Sequence, residues 1–289
     1  MLIDIKLSEI CQQLNNNELI FEHQICMKQF NRLVMILVLF TACNGKDSPV
    51  VSGDSTNPEK LMKDAITAFP DSLLLKENLV QYYRDNGEYD MSLATTNDAI
   101  KKDSLNPRLW NMKATLYFEN EDTVNSIKAF EKGIGLSPDP QYIISLATIY
   151  AETKNAKALA MADALLLAKK TKSDKEAFFI KGLYYNYSGD KAKAIDHFDK
   201  CLALDYTYMF AYREKAIALY DLGRYEAALS VADKAVTLQN NFDEGHYWRG
   251  RCLEKLNRPG DAIEAYHTAL LYSPDYIEAQ DALARLGVK

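Results

Sequence analysis

Histidine and cysteine are scarce in this chain of 289 residues, at four and five copies, and what is missing around them excludes most site chemistry. His197, His246 and His267 do not cluster, and no Cys or His pair has metal-ligand spacing. The sequence contains no HExxH, no GxSxG and no glycine-rich phosphate loop. These absences imply no metal, no cofactor and no catalytic residues, so the chain is not read as an enzyme. Positive charge is also in deficit, with 34 Lys and Arg against 40 Asp and Glu and a net charge of −6. Nucleic-acid binding driven by backbone phosphates needs clustered cations, and the short basic spot Lys169, Lys170, Lys172, Lys175 reads as a solvated turn. Membrane spans need about 20 apolar residues, whereas Leu33 to Ala42 offers ten. With 48% hydrophobic and 26% charged residues, the bulk of the chain has the composition of a folded protein.

That apolar decapeptide follows Met27-Lys-Gln-Phe-Asn-Arg32, giving the basic and apolar regions of a secretory signal over residues 27–42. Phe40-Thr41-Ala42-Cys43 resembles the lipobox of bacterial lipoproteins, in which the cysteine becomes the lipidated first residue. Phe40 departs from the usual leucine. The resemblance implies lipidation at Cys43 and a membrane-anchored place in the bacterial cell envelope, at the outer membrane. Acyl chains contribute roughly 0.8 kcal/mol per buried methylene, and more than one is needed for a stable anchor. Residues 1–26 form a mixed polar stretch ahead of this signal, so Met27 is the expected start; the rival reading is a genuine extension from Met1 with the apolar run as an internal anchor. Removal of residues 1–42 leaves 31 cations against 36 acids, a net charge of −5. Residues 43–56, rich in Gly, Ser, Asp and Asn, read as a flexible tether.

Beyond the tether the chain is self-similar with a period of 34. Units begin at Leu73, Pro107, Gln141, Lys175, Met209 and Asp243 and need no gaps. Position 15 is Gly87, Gly189 or Gly223 in three units, and Glu121 or Asn257 in two more, which suits a helix C-terminus. Position 20 is small throughout, as Ser92, Ser126, Ala160, Ala194, Ala228 and Ala262; position 27 runs Ala99, Gly133, Leu167, Cys201, Ala235 and Ala269. Bulky residues fill the complementary places, with Tyr83, Tyr117, Tyr185, Leu219 and Leu253 at position 11, and Phe130, Phe198 and Tyr266 at position 24. In the third unit Leu146 and Tyr150 fall one place early, which predicts a one-residue slip and a longer turn near Lys154-Asn155.

Over residues 73–276 this pattern resembles the tetratricopeptide repeat family. The resemblance implies an all-α, right-handed α-α superhelix of six units, 73–106, 107–140, 141–174, 175–208, 209–242 and 243–276. Residues 57–72, opened by Asn57-Pro58, are expected to form a capping half-repeat, and residues 277–289 a C-terminal capping helix with Ala282 and Leu283 inward. Cys201 and Cys252, with a repeat between them, are then too far apart to bridge.

Position 7 carries Lys113, Lys181, Lys215 and Arg249, and position 25 carries Glu131, Asp199 and Asp233 in three of those units. The correlation predicts pairs within each unit: Lys113 with Glu131, Lys181 with Asp199, Lys215 with Asp233. Resemblance to the family further implies that the concave surface is lined by positions 2, 5, 9, 12 and 13 of each first helix. Those positions nominate Phe118, then Phe179, Asn186 and Tyr187, then Phe210, Arg213 and Tyr220, and finally Tyr247 and Arg251. Aromatic and arginine side chains are the common anchors of interfaces. The Lys, Asn, Asn, Lys, Arg set with which some relatives clamp acidic chaperone tails is not supplied. The expected function is a non-enzymatic scaffold whose groove holds a peptide or partner protein of the envelope. The other reading is a carbohydrate-binding or nutrient-uptake lipoprotein, with the same aromatics stacked on sugar rings.

Overall fold

The computed structural model describes residues 57–168 and 172–288; the signal segment, Cys43, the tether, Lys169 and Lys170 lie outside them. All regular structure among the described residues is helical. The helices are α1 (Pro58–Ala68), α2 (Leu73–Asp85), α3 (Tyr89–Lys102), α4 (Pro107–Glu119), α5 (Thr123–Leu136), α6 (Pro140–Glu152) and α7 (Lys157–Leu167). They continue as α8 (Asp174–Tyr187), α9 (Lys191–Leu204), α10 (Met209–Asp221), α11 (Tyr225–Leu238), α12 (Asp243–Lys255), α13 (Pro259–Tyr272) and α14 (Ile277–Arg285). None is long and apolar enough to cross a membrane. The chain divides into two compact bodies, whose described parts are residues 57–142 and 143–288.

In the N-terminal body local chemistry sets the helix ends. Asn57 accepts from the Glu59 and Lys60 amides ahead of Pro58, Ser72 from Leu75, and Asn106 from Arg108 ahead of Pro107. Where α2 gives way to α3, Gly87 takes φ +72° and the Glu88 N–H donates to the Tyr83 carbonyl at 2.8 Å. Glu121 makes the same turn between α4 and α5 at φ +59°, with Asp122 N–H on Tyr117 O at 2.8 Å. Ser92 and Ser126 are fully buried, and each turns its hydroxyl onto a carbonyl of the paired helix, Val80 O at 3.0 Å and Ala114 O at 2.8 Å. A buried hydroxyl is thereby satisfied at a position where only a small residue fits.

The C-terminal body repeats the arrangement in α6–α7, α8–α9, α10–α11 and α12–α13. Gly182 of α8 and Gly250 of α12 lie against the rings of Phe198 and Tyr266, both fully buried. α14 closes the last pair by burying Ala279, Ala282 and Leu283. Cys201 and Cys252 are buried free thiols, each pushed up to about 12 by burial.

Two details differ from the sequence reading. The link between α6 and α7 does hold four residues, 153–156, and its positive-φ residue is Lys154, one place early. The slip does not end there. In α7 the buried small and bulky places fall to Ala158 and Leu165, while Ala160 is partly exposed and Leu167 lies in solvent. The ion pairs also run in the other direction. Lys215 donates to Asp199 at 2.5 Å, Arg249 to Asp233 at 2.8 Å, and Lys181 to Asp163 at 2.5 Å. Each acid serves the cation of the following unit, because the outer face of a second helix turns toward the next first helix. Lys113 instead rests over the rings of Trp110 and Tyr117, 5.4 and 5.7 Å from their centroids.

Candidate functional site

In the C-terminal body, the end of α8, the starts of α9 and α12, and α10 contribute one connected polar network. Its centre is Glu214, a carboxylate only 5% exposed. Asn186 Nδ2 donates to Glu214 Oε2 at 3.2 Å, and Arg213 Nε to Glu214 Oε1 at 3.1 Å. Arg213 reaches onward through Nη1 to Glu244 at 2.6 Å, while Lys191 donates to Asn186 Oδ1 at 2.7 Å and to Asp221 at 2.6 Å. Burial pushes the Glu214 carboxyl upward, opposed by Arg213 and the Asn186 amide. Burial works against the Arg213 charge, but Glu214 and Glu244 outweigh it and the guanidinium is held up. Such a chain of charge-assisted bonds fixes the side chains of three successive units in one geometry.

Two exposed rings border this network. Phe210, 52% exposed, lies 5.4 Å from the Arg213 guanidinium carbon and edge-on to Tyr208. Tyr187, 43% exposed, shares its surroundings with Glu214, Glu152 and Arg213; burial and then the two carboxylates raise its phenol. The Glu152 carboxyl is itself pushed up, by burial first and then by Glu214. One unit further on, Arg251 donates to the hydroxyls of Tyr247 at 2.8 Å and Tyr220 at 3.3 Å and lies over Tyr220, Tyr247 and Trp248. This arrangement offers rigid aromatic area beside polar groups whose geometry is already set.

Of the nine residues nominated from sequence, the structure offers Tyr187 and Phe210 to solvent, with Arg213, Tyr220 and Arg251 half-buried beside them. Phe118 is exposed on α4, in the N-terminal body. Three require correction. Phe179, 8% exposed, packs edge-on against Tyr208 at 5.2 Å, and Tyr247, 7% exposed, lies tilted against Tyr276 at 5.0 Å. In both units an aromatic at the last position folds over the ring at position 5 and turns it into core. Asn186 is buried as the clasp on Glu214. Glu152, Glu214 and Glu244 were missed, because surface-type acids carry no periodic signal. The recurrence of Tyr208, Phe242 and Tyr276 at position 34 was the available sign that the position-5 rings are covered. Among the described residues no group of three or more His, Cys, Asp or Glu is placed to hold a metal ion.

Comparison with known proteins gives three family-model matches, each described as a tetratricopeptide repeat, over residues 78–139, 175–208 and 219–286. An uncharacterized protein of Methanocaldococcus jannaschii is 32% identical over 72 residues, 25% of this chain and 84% of that protein. DnaJ homolog subfamily C member 7 of Mus musculus is 28% identical over 116 residues, 40% of this chain. The chain spans about a quarter, 24%, of the length of that relative and of its Homo sapiens counterpart. Among solved structures, a tetratricopeptide repeat protein from Parabacteroides merdae superposes with a TM-score of 0.67 at 16% identity, covering 79% of this chain and 91% of that one. With its helix pairs repeating every 34 residues and matches to one family over more than half of its length, the chain belongs to the tetratricopeptide repeat family.

Proposed function

We propose that this protein is a non-enzymatic scaffold, anchored in the bacterial envelope through a lipid on Cys43, that holds a peptide segment of a partner protein on the Tyr187–Phe210–Arg213 face. The observation that carries the reading is the pairing of exposed rings with an arginine already locked by Glu214 and Glu244. A preset anchor of this kind loses little side-chain entropy on binding. The repeat family is a protein-interaction fold, which supports the scaffold class. The anchor rests on the lipobox-like Phe40-Thr41-Ala42-Cys43.

A photo-reactive residue at position 210, introduced in cells, is expected to crosslink one dominant partner, and Tyr187→Ala to abolish the adduct. Equal crosslinking with and without Tyr187→Ala refutes the face. Tyr247 is unsuitable for such a test because it is core. For the anchor, Cys43→Ser is expected to move the protein from the membrane to the soluble fraction, and an acylated Cys43 peptide to appear by mass spectrometry. An unmodified Cys43 in the mature protein refutes it.

A further inference from the structure

Helix α1 differs from the other second helices in burying nothing. α3, α5, α9, α11 and α13 each bury positions 20, 24 and 27 of their unit, as Ser92, Thr96 and Ala99 in α3 and Ala194, Phe198 and Cys201 in α9. Burial at these places needs two neighbours, the first helix of the same unit and that of the next. In α1 the equivalent residues are Pro58, Met62 and Ala65, and none is buried. Its contact is with α2, where the Tyr83 hydroxyl donates to Glu59 at 2.7 Å and Lys63 Nζ lies 5.9 Å from the Tyr83 ring centroid. The sequence one period before α2, residues 39–51, holds Cys43, Gly45 and Pro49 and lacks the pattern of the repeat.

The open side of α1 is apolar. Leu61, Ala65 and Ala68 follow one another at helical spacings of four and three, and Phe69 ends the stripe. Leu61 is 54% exposed and Phe69 66%. A terminal helix of a stacked array is expected to turn a polar face outward, and this one does not. Charge along its edge is unspent as well. Lys63 is tied to Glu59 at 2.6 Å, whereas Lys60 and Asp64, exposed and one turn apart, form no ion pair among the described residues.

We propose that a second copy of this chain covers this face, with the two α1 helices packed antiparallel about a two-fold axis beside Ala65. Short turns make the two helices of each unit antiparallel, so each α1 stands in the place of the other's missing first helix. Leu61 then meets the second copy's Ala68, a large residue opposite a small one, and Lys60 comes within reach of the second copy's Asp64. Both matches occur twice, as a two-fold contact requires. A face of so few side chains falls well short of the roughly 800 Å² per partner of a stable interface, so the contact is weak in free solution. Here the inference rests on the proposed lipid anchor. Cys43 lies 14 residues before Asn57, which keeps α1 within about 50 Å of the membrane. Two copies on one membrane meet at a raised effective concentration.

The test is Ala65→Cys in the full chain, treated in cells with a short bismaleimide. The expected product is a covalent adduct of twice the chain's mass. The parent, whose Cys201 and Cys252 are buried, gives the background, and Ala94→Cys on the exposed side of α3 is expected to match it. Leu61→Glu, at an exposed position, lowers the adduct at least about tenfold with the helical dichroism unchanged. Lys60→Glu lowers it about threefold, and Lys60→Glu with Asp64→Lys restores it, a rescue that only reciprocal pairing of these positions gives. No adduct above background, an adduct with the mass of another protein, or one that survives Leu61→Glu overturns the inference. A chain that stays at the membrane and crosslinks its partner through position 210, but forms no adduct through position 65, sinks the α1 pair alone. If Cys43→Ser neither releases the protein from the membrane nor lowers the adduct, the anchor reading fails and the pair stands.

Discussion

Gly250→Ala tests how tightly the helix pairs are set. A Cβ built at Gly250 lies 2.5 Å from Tyr266 Cε1 and 2.8 Å from Cδ1 and Cζ, against a normal carbon contact of about 3.5 Å or more. Tyr266 has no room to move. Its side chain is fully buried, its hydroxyl donates to Glu254, and its ring tilts against Tyr247 with centroids 5.8 Å apart. Because Tyr266 cannot yield, the cost falls in the upper part of the range for overpacking, about 2–3 kcal/mol, and the better helix propensity of alanine returns about 1 kcal/mol. The net expectation is a loss of about 1–2 kcal/mol, which for a protein of this size lowers the melting temperature by about 3–6 °C. Urea unfolding followed by circular dichroism measures it. Tyr266→Ala in the same molecule removes the obstacle, so Gly250→Ala in that background becomes neutral or stabilising by up to about 1 kcal/mol. The fifth unit already uses that solution, with Ala216 and Ala232 buried at the equivalent places. A Gly250→Ala protein as stable as the parent, or more so, refutes the packing argument.

Glu121→Gly relieves a left-handed residue at φ +59° and is expected to raise stability by about 0.5–1 kcal/mol, read from the urea midpoint. A double-mutant cycle on Asp199 and Lys215 is expected to give a coupling of about 0.2–1 kcal/mol. The same cycle on Lys215 and Asp233 is expected to give none, and a larger value there contradicts the inter-unit pairing. Lys175, together with Thr207, holds the Asp205 carboxyl down at about 2, below its ordinary 3.8. A depressed carboxylate stabilises the fold above its unfolded value and loses that contribution as the pH falls through the folded one. Asp205→Asn is therefore expected to lower stability at neutral pH, and the difference from the parent to vanish between about pH 4 and pH 2.

The period, the turn glycines and the small columns were legible because each reports a local steric demand repeated many times. Gly87, Gly189 and Gly223 all adopt positive φ, and Ser92, Ser126, Ala194, Ala228 and Ala262 are all buried. The third unit was legible only to its turn, since an alanine-rich helix such as α7 keeps a plausible pattern in several registers. The direction of the ion pairs was not legible at all. Separations of 16 and 18 residues between a cation and an acid are nearly equivalent along the chain, and only the packing of a second helix against the following first helix decides between them. The site residues suffered from the opposite difficulty. Phe179 and Tyr247 have the residue type of a binding surface, and their burial depends on Tyr208 and Tyr276 folding over them.

The inter-unit pairs bear on how such a chain changes length. Asp199 reaches Lys215, and Asp233 reaches Arg249, each across 16 residues. Excision of residues 209–242 brings Arg249 to the place that Lys215 held, opposite Asp199, and duplication of the same stretch creates another acid–cation seam. Gain or loss of a whole unit through recombination thus leaves matched charges at the new junction. A break elsewhere in the period sets an acid against the wrong face, so selection on this chain admits length changes in steps of one unit.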